Sequence, residues 1–322
     1  WSSDVCSSDL LPDFYIAAIT AGLSYGLVGS VSTSILLRRW FRDRLDVALS
    51  ICASGAGIAA FVMPYVITCL VARCGLMMSF YSMGVLSFLA AGLIITLLKN
   101  DPKDIGLEAY TLSRNHVRAV LSFEKEAVLS NPLYAPLQRQ KTLYLVPFFL
   151  GAFAINCQSY FMMFFTERGF GGVKAAAAIS VYGLMLLIGK LSYGFLSDAR
   201  GHRKTSLLFL LSAFFGVTLC CFISRSPLMM YLGSGLAGAG VATGSVGIPI
   251  WVGDFSVPAD YSREIKRFQL LFAGGGLAFS IMPGIIADRL GSYMFVNFVY
   301  ILFFAVIIRE ITTAYRRMRA VR

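Results

Sequence analysis

Nine stretches of this chain are apolar enough to cross a bilayer, with polar sequence between them: 14–37, 47–70, 77–98, 144–165, 175–196, 205–224, 228–252, 268–287 and 293–308. A helix needs about 20 apolar residues to span the hydrocarbon core, where the backbone must satisfy its own hydrogen bonds. Eight of the nine contain no Asp, Glu, Lys or Arg, and the fifth contains one, Lys190. The pattern predicts an all-α polytopic membrane protein. The polar surface of a water-soluble domain is missing as well: 14% of residues are charged, against roughly a quarter in soluble proteins.

The net charge of +11 raises the question of nucleic acid, which a cationic patch on a soluble fold would bind. Here the cations sit in short clusters between spans, and nucleic acid is not an expected partner. Nine spans force the connectors to alternate sides. Of 28 Lys and Arg, 22 fall on one side and five on the other, with Lys190 inside a span. Basic connectors stay in the cytoplasm, so the C-terminus is expected inside, in the plasma (inner) membrane, with the bilayer as solvent.

The stretch SGAGIAAFVMPYVI (Ser54–Ile67) in the second span matches AGGGLAFSIMPGII (Ala273–Ile286) in the eighth at six of fourteen positions, including Pro64 and Pro283. The copies lie six spans apart and run in the same direction, as a parallel repeat of six helices requires. The matched prolines suggest matched kinks. The longest polar connector, 99–143, holds Asn131, Pro132 and Pro136 and reads as a cytoplasmic central linker. It divides the chain into 11–98, with three spans, and 144–310, with six, followed by a basic tail at 311–322.

These features resemble the major facilitator superfamily, whose members carry two six-helix halves joined by a cytoplasmic loop. The segment GFLSDARGHRK (Gly194–Lys204) resembles the superfamily's G-x-x-x-D-R-x-G-R-[RK] loop between helices eight and nine. It departs in one slot, with Ala199 before Arg200. GIIADRLGSY (Gly284–Tyr293) and RWFRDR (Arg39–Arg44) are similar to segments of the monocarboxylate transporter and oxalate:formate antiporter branch. The resemblance implies a major facilitator-type fold whose nine transmembrane helices correspond to helices 4–12 of twelve. Residues 1–10, WSSDVCSSDL, lack the apolar core and cleavage site of a signal peptide. They resemble a translated sequencing adapter, and are expected to be an artefact standing where three helices should precede.

Lys190 is the sharpest site candidate, because a cation inside a span is costly and by default marks function. Gly183, Gly194 and Ser197 share its helical face, which suits a cavity or a neighbouring helix. The bland alternative is a lysine that snorkels to the interface. In the monocarboxylate branch the matching position resembles a basic residue that holds the substrate carboxylate. Asn156, Gln158 and Tyr160 cluster in the span that would be helix seven, and the resemblance makes them cavity-lining candidates. Buried amides equally serve as bonds between helices. Span 268–287 carries no cation, whereas oxalate:formate antiporters have one there, which favours a monocarboxylate over a dicarboxylate.

The loop residues Gly194, Asp198, Arg200, Gly201, Arg203 and Lys204 are expected to form a gate. Asp198 would sit at a helix terminus, and the three cations would pair with carboxylates or lipid phosphates as two halves rock. Trp40 and Trp251 fall near cytoplasmic ends and read as interface anchors.

The expected activity is secondary transport of small organic anions, with a polytopic membrane enzyme the less favoured alternative: only His116 and His202 exist, both in polar loops, with no nucleophile–base pairing. Protons are the candidate coupling ion for symport, and anion exchange is the alternative. A transporter of another small solute, a drug, sugar or amino acid, with Lys190 merely structural, remains the second reading. Of seven Cys, five lie in apolar runs without metal-type spacing, so neither a metal nor a cofactor is expected.

Overall fold

The structure is a computed structural model that describes residues 15–16, 19–20, 30–111, 137, 140–222 and 227–321. Among them the backbone is almost wholly helical: α1 (Ser30–Trp40), α2 (Leu45–Leu97), α3 (Leu145–Glu167), α4 (Gly172–Arg200), α5 (His202–Cys221), α6 (Pro227–Ala242), α7 (Ile248–Phe255), α8 (Tyr261–Ala278), α9 (Met282–Leu290) and α10 (Met294–Val321). Among the described residues eight segments are long and apolar enough to cross a membrane, matching the second to ninth expected spans. Half of the first expected span, 14–37, lies outside the described residues, as does most of the 99–143 linker.

Interruptions of the helices fall where glycine or proline removes a constraint. Inside α2, Gly75 takes φ 79° and ψ 168°, a region open to glycine because it lacks a Cβ, and it separates the segments Leu45–Met63 and Met77–Leu97. Between α6 and α7 the chain widens into a π-turn at Thr243–Gly247. Pro249 follows it, and a proline can neither donate an amide hydrogen nor tolerate the carbonyl four residues back. Between α8 and α9 the helix breaks at 279–281, after three glycines of low helix propensity and just before Pro283. The backbone is α-helical through Pro64, so the matched prolines do not make matched breaks.

Helix packing rests on small residues, which lets backbones approach in the absence of a hydrophobic drive between helices. A Cβ on Gly238 would strike the Tyr182 carbonyl, and one on Gly216 would lie 2.5 Å from the Ala237 amide, locking α6 between α4 and α5. Gly151 and Gly275 bring α3 and α8 together in the same way. Aromatic side chains fill the other seam: Phe149 and Phe303 stack at 4.4 Å, and Phe153 meets Tyr300 and Phe304 edge-on at 4.9 Å, joining α3 to α10. This arrangement leaves a space between the residues before the linker and those after it.

Candidate functional site

That space is a cavity of about 430 Å³. One wall comes from α1 and α2, through Thr33, Leu49, Cys52, Ala53 and Ala56; the other comes from α3, α4, the π-turn and α8, and includes Gln158, Tyr182, Lys190, Gly244, Gln269 and Phe272. Among the described residues Lys190 is the one charged group in the lining. It is 7% exposed, and its Nζ donates to the carbonyl of Ala53 across the cavity at 3.3 Å. No carboxylate among the described residues pairs with it. A buried cation with one long hydrogen bond and no counter-ion leaves most of its charge unanswered, and an anion is the group that answers it.

The other residues expected at the site divide. Gln158 lines the cavity. Asn156 is not among its lining residues, and its amide donates to the carbonyls of Ala152 and Gly276, both at 3.0 Å, tying α3 to α8. Tyr160 is 1% exposed and donates to Asn297 Oδ1 at 2.6 Å and toward the Tyr293 carbonyl at 3.2 Å. Both make bonds between helices. Gln269, which sequence reasoning passed over, faces the cavity from α8.

A second cluster lies at the ends that the charge rule assigns to the cytoplasm. His202 opens α5 and bridges two carboxylates: Nε2 lies 2.9 Å from Asp46 Oδ2, and Nδ1 lies 2.9 and 2.8 Å from the oxygens of Asp254. The Asp46 contact is an ion pair by distance without the alignment of a straight hydrogen bond. Each ring nitrogen faces a carboxylate, and only the imidazolium form carries a hydrogen on both. Asp46 sits in the first turn of α2, where the helix dipole favours an anion; Asp254 also accepts from the Tyr315 hydroxyl at 2.7 Å. Because Asp46 precedes the linker and His202 follows it, this contact joins the two parts of the chain.

The expected loop residues surround that bridge. A Cβ on Gly194 would lie 2.5 Å from the Asp46 carbonyl and strike the Ser50 hydroxyl, so this glycine permits α4 to meet α2. Gly201 turns the chain from α4 into α5 at φ 83° and ψ 153°. Asp198 is exposed near the C-terminal end of α4. Arg200, Arg203 and Lys204 form no ion pair with a carboxylate among the described residues, and they border a pocket of about 380 Å³ beside His202, Asp254 and Tyr315. The carboxylate pairing expected of them is made by His202 instead. Its partners lie far away in sequence, which is why no local pattern announces it.

Trp251 is fully buried, and its indole donates to Ser206 Oγ at 2.7 Å, which shares a 2.8 Å hydrogen bond with the Tyr193 hydroxyl. It is a core residue and not an interface anchor, because neighbouring helices enclose α7. Trp40 is half-buried and donates to the Lys99 carbonyl at 3.1 Å. Arg38 adds another link across the two parts: its guanidinium lies 3.7 Å over the Tyr261 ring and its Nη2 reaches the Pro249 carbonyl at 3.5 Å.

The family model described as Major Facilitator Superfamily matches residues 5–189, more than half of the 322-residue chain. The chain belongs to the Major Facilitator Superfamily. It is an integral membrane protein and a transporter of that superfamily, which accounts for a cavity at the seam of two helical groups. Among solved structures it is similar to FucP, described as a Major Facilitator Superfamily transporter in the outward conformation, with a TM-score of 0.60 at 16% identity over 89% of this chain and 72% of that one. A variant of the E. coli fucose:proton symporter FucP matches with a TM-score of 0.45 at 16% identity, over 93% of this chain and 86% of that one. The first likeness shows the shared fold. No curated protein matches the sequence.

Proposed function

We propose that this superfamily transporter carries small organic anions, monocarboxylates above all, by alternating access, and that Lys190 holds the carboxylate. The observation that carries this reading is a buried lysine without a counter-ion among the described residues, lining a cavity between the two parts of the chain. The same observation favours the cavity over snorkelling, since the ammonium bonds inward to Ala53. Residues 11–98 then belong to one half and 144–310 to the other, in the plasma (inner) membrane with the C-terminus in the cytoplasm.

One cation and no carboxylate in the described lining suit a single negative charge on the solute. Binding forms a neutral pair, and moving a neutral pair through a low-dielectric seam costs far less than moving the lysine alone. Gln158 supplies a neutral hydrogen-bonding group beside that pair. Both proton symport and anion exchange are compatible with this arrangement. The Asp46–His202–Asp254 bridge, with Gly194, Asp198, Arg200, Gly201, Arg203 and Lys204 around it, acts as the gate on the cytoplasmic side. Closing brings Asp46 to His202, and opening separates them.

The test is ligand-dependent thermal stability of the purified chain with pyruvate, lactate, formate and oxalate, set against their uncharged amides. Linkage requires that a ligand bound by the native state alone raise the unfolding temperature. Monocarboxylates should stabilise the chain, amides should not, and Lys190→Ala should abolish the effect. Equal stabilisation of the Lys190→Ala variant would remove Lys190 from the site.

A further inference from the structure

We infer that Gln269 is a further solute-binding residue of the cavity, one that selects anions carrying a neutral hydrogen-bond acceptor in addition to the carboxylate. This rests on the carboxylate reading of Lys190. Gln269 lines the same cavity from α8. Its amide nitrogen is buried and has no hydrogen-bond partner among the described residues. Buried polar groups in native structures are almost always satisfied, so an idle donor on a side chain that lines a cavity calls for an explanation. A bound solute supplies one.

The neighbouring polar groups sharpen the contrast. The Asn156 amide is spent on two carbonyls, and the Tyr160 hydroxyl on Asn297 and Tyr293. Those groups hold helices together and have no donor left for a ligand. Gln269 has one. As a neutral donor it adds no charge to the site, so Lys190 and a single carboxylate still balance. What it adds is a preference for an oxo, hydroxyl or amide oxygen on the solute. A site built to hydrogen-bond such a group discriminates against an analogue without it, because its own buried donor then stays unpaired.

Cys52 lines the same cavity and is a free, exposed thiol, so it reports occupancy directly. The experiment follows N-ethylmaleimide alkylation of Cys52 in the purified chain by mass spectrometry, against rising propionate or pyruvate. The two acids share a three-carbon skeleton and one carboxylate, and differ by the oxo group. Pyruvate should protect Cys52 at a roughly tenfold lower concentration than propionate. Gln269→Leu should erase that difference by weakening pyruvate alone, leaving propionate within about twofold. Gln269→Met, closer in length, repeats the test if the leucine variant does not fold. Equal weakening of both acids, or no change in either, would overturn the role of Gln269 while leaving Lys190 intact. Absence of protection by either acid in the unaltered chain would overturn the carboxylate reading and this inference with it.

Discussion

Replacing His202 by Gln keeps a side chain of similar size with one neutral donor and deletes the positive charge between Asp46 and Asp254. Of the two His202 contacts, only the one to Asp46 spans the two parts of the chain, so only that one weighs on the balance between closed and open states. At 2.9 Å, with side chains 37% and 10% exposed, the pair lies between a surface ion pair, worth about 0–1 kcal/mol, and a buried charge-assisted bond, worth about 1.5–3 kcal/mol. The exposure of the imidazole and the poor alignment discount it to about 1 kcal/mol. The closed state should therefore lose about fivefold in population relative to the open one. The Arg38–Tyr261 contact and the Gly194 crossing persist, so the variant should remain folded. Hydrogen–deuterium exchange reads the shift: peptides covering 44–56 and 196–206 should both exchange about fivefold faster if opening limits exchange. Asp46→Asn should have the same effect, and the double variant should add little. Unchanged exchange across 44–56, or full additivity of the two substitutions, would refute the bridge as a link between halves.

Gly194→Ala should push α2 from α4, since its Cβ would lie 2.5 Å from the Asp46 carbonyl; a loss of about 1–3 kcal/mol should appear as a lower thermal unfolding temperature. Gly201→Ala meets open space but keeps φ at +83° and ψ at 153°, so a cost of about 1–3 kcal/mol should appear in unfolding without altered ligand protection of Cys52. Trp251→Phe removes the donor to Ser206 and should destabilise the chain by about 1 kcal/mol in the same assay. Maleimide should modify the exposed Cys52 and Cys74 in the native chain and spare the buried Cys157 and Cys220 until it unfolds; early labelling of Cys157 would contradict the packing of α3.

The spans were readable from sequence because a bilayer imposes a length and an absence of charge that few other environments impose. Lys190 stood out for the same reason, as a lone violation of that rule. Rotation of a helix about its axis is a different matter. Nothing in the string around Asn156, Gln158 and Tyr160 distinguishes the side chain that meets the cavity from the two that meet other helices, because all three surroundings are apolar. Gln269 was hidden by the same ambiguity, and by a reading of its span that looked for charge alone. The His202 bridge was invisible because it assembles three residues from separate helices. Trp251 was misplaced because position along a helix indicates depth in the membrane but not which neighbours enclose it.

Uptake of labelled pyruvate by proteoliposomes carrying the chain, with and without Lys190→Ala, tests the central claim most directly. The account predicts saturable uptake that unlabelled monocarboxylates compete away, and its loss in the variant. Saturable pyruvate uptake that survives Lys190→Ala undiminished would contradict it.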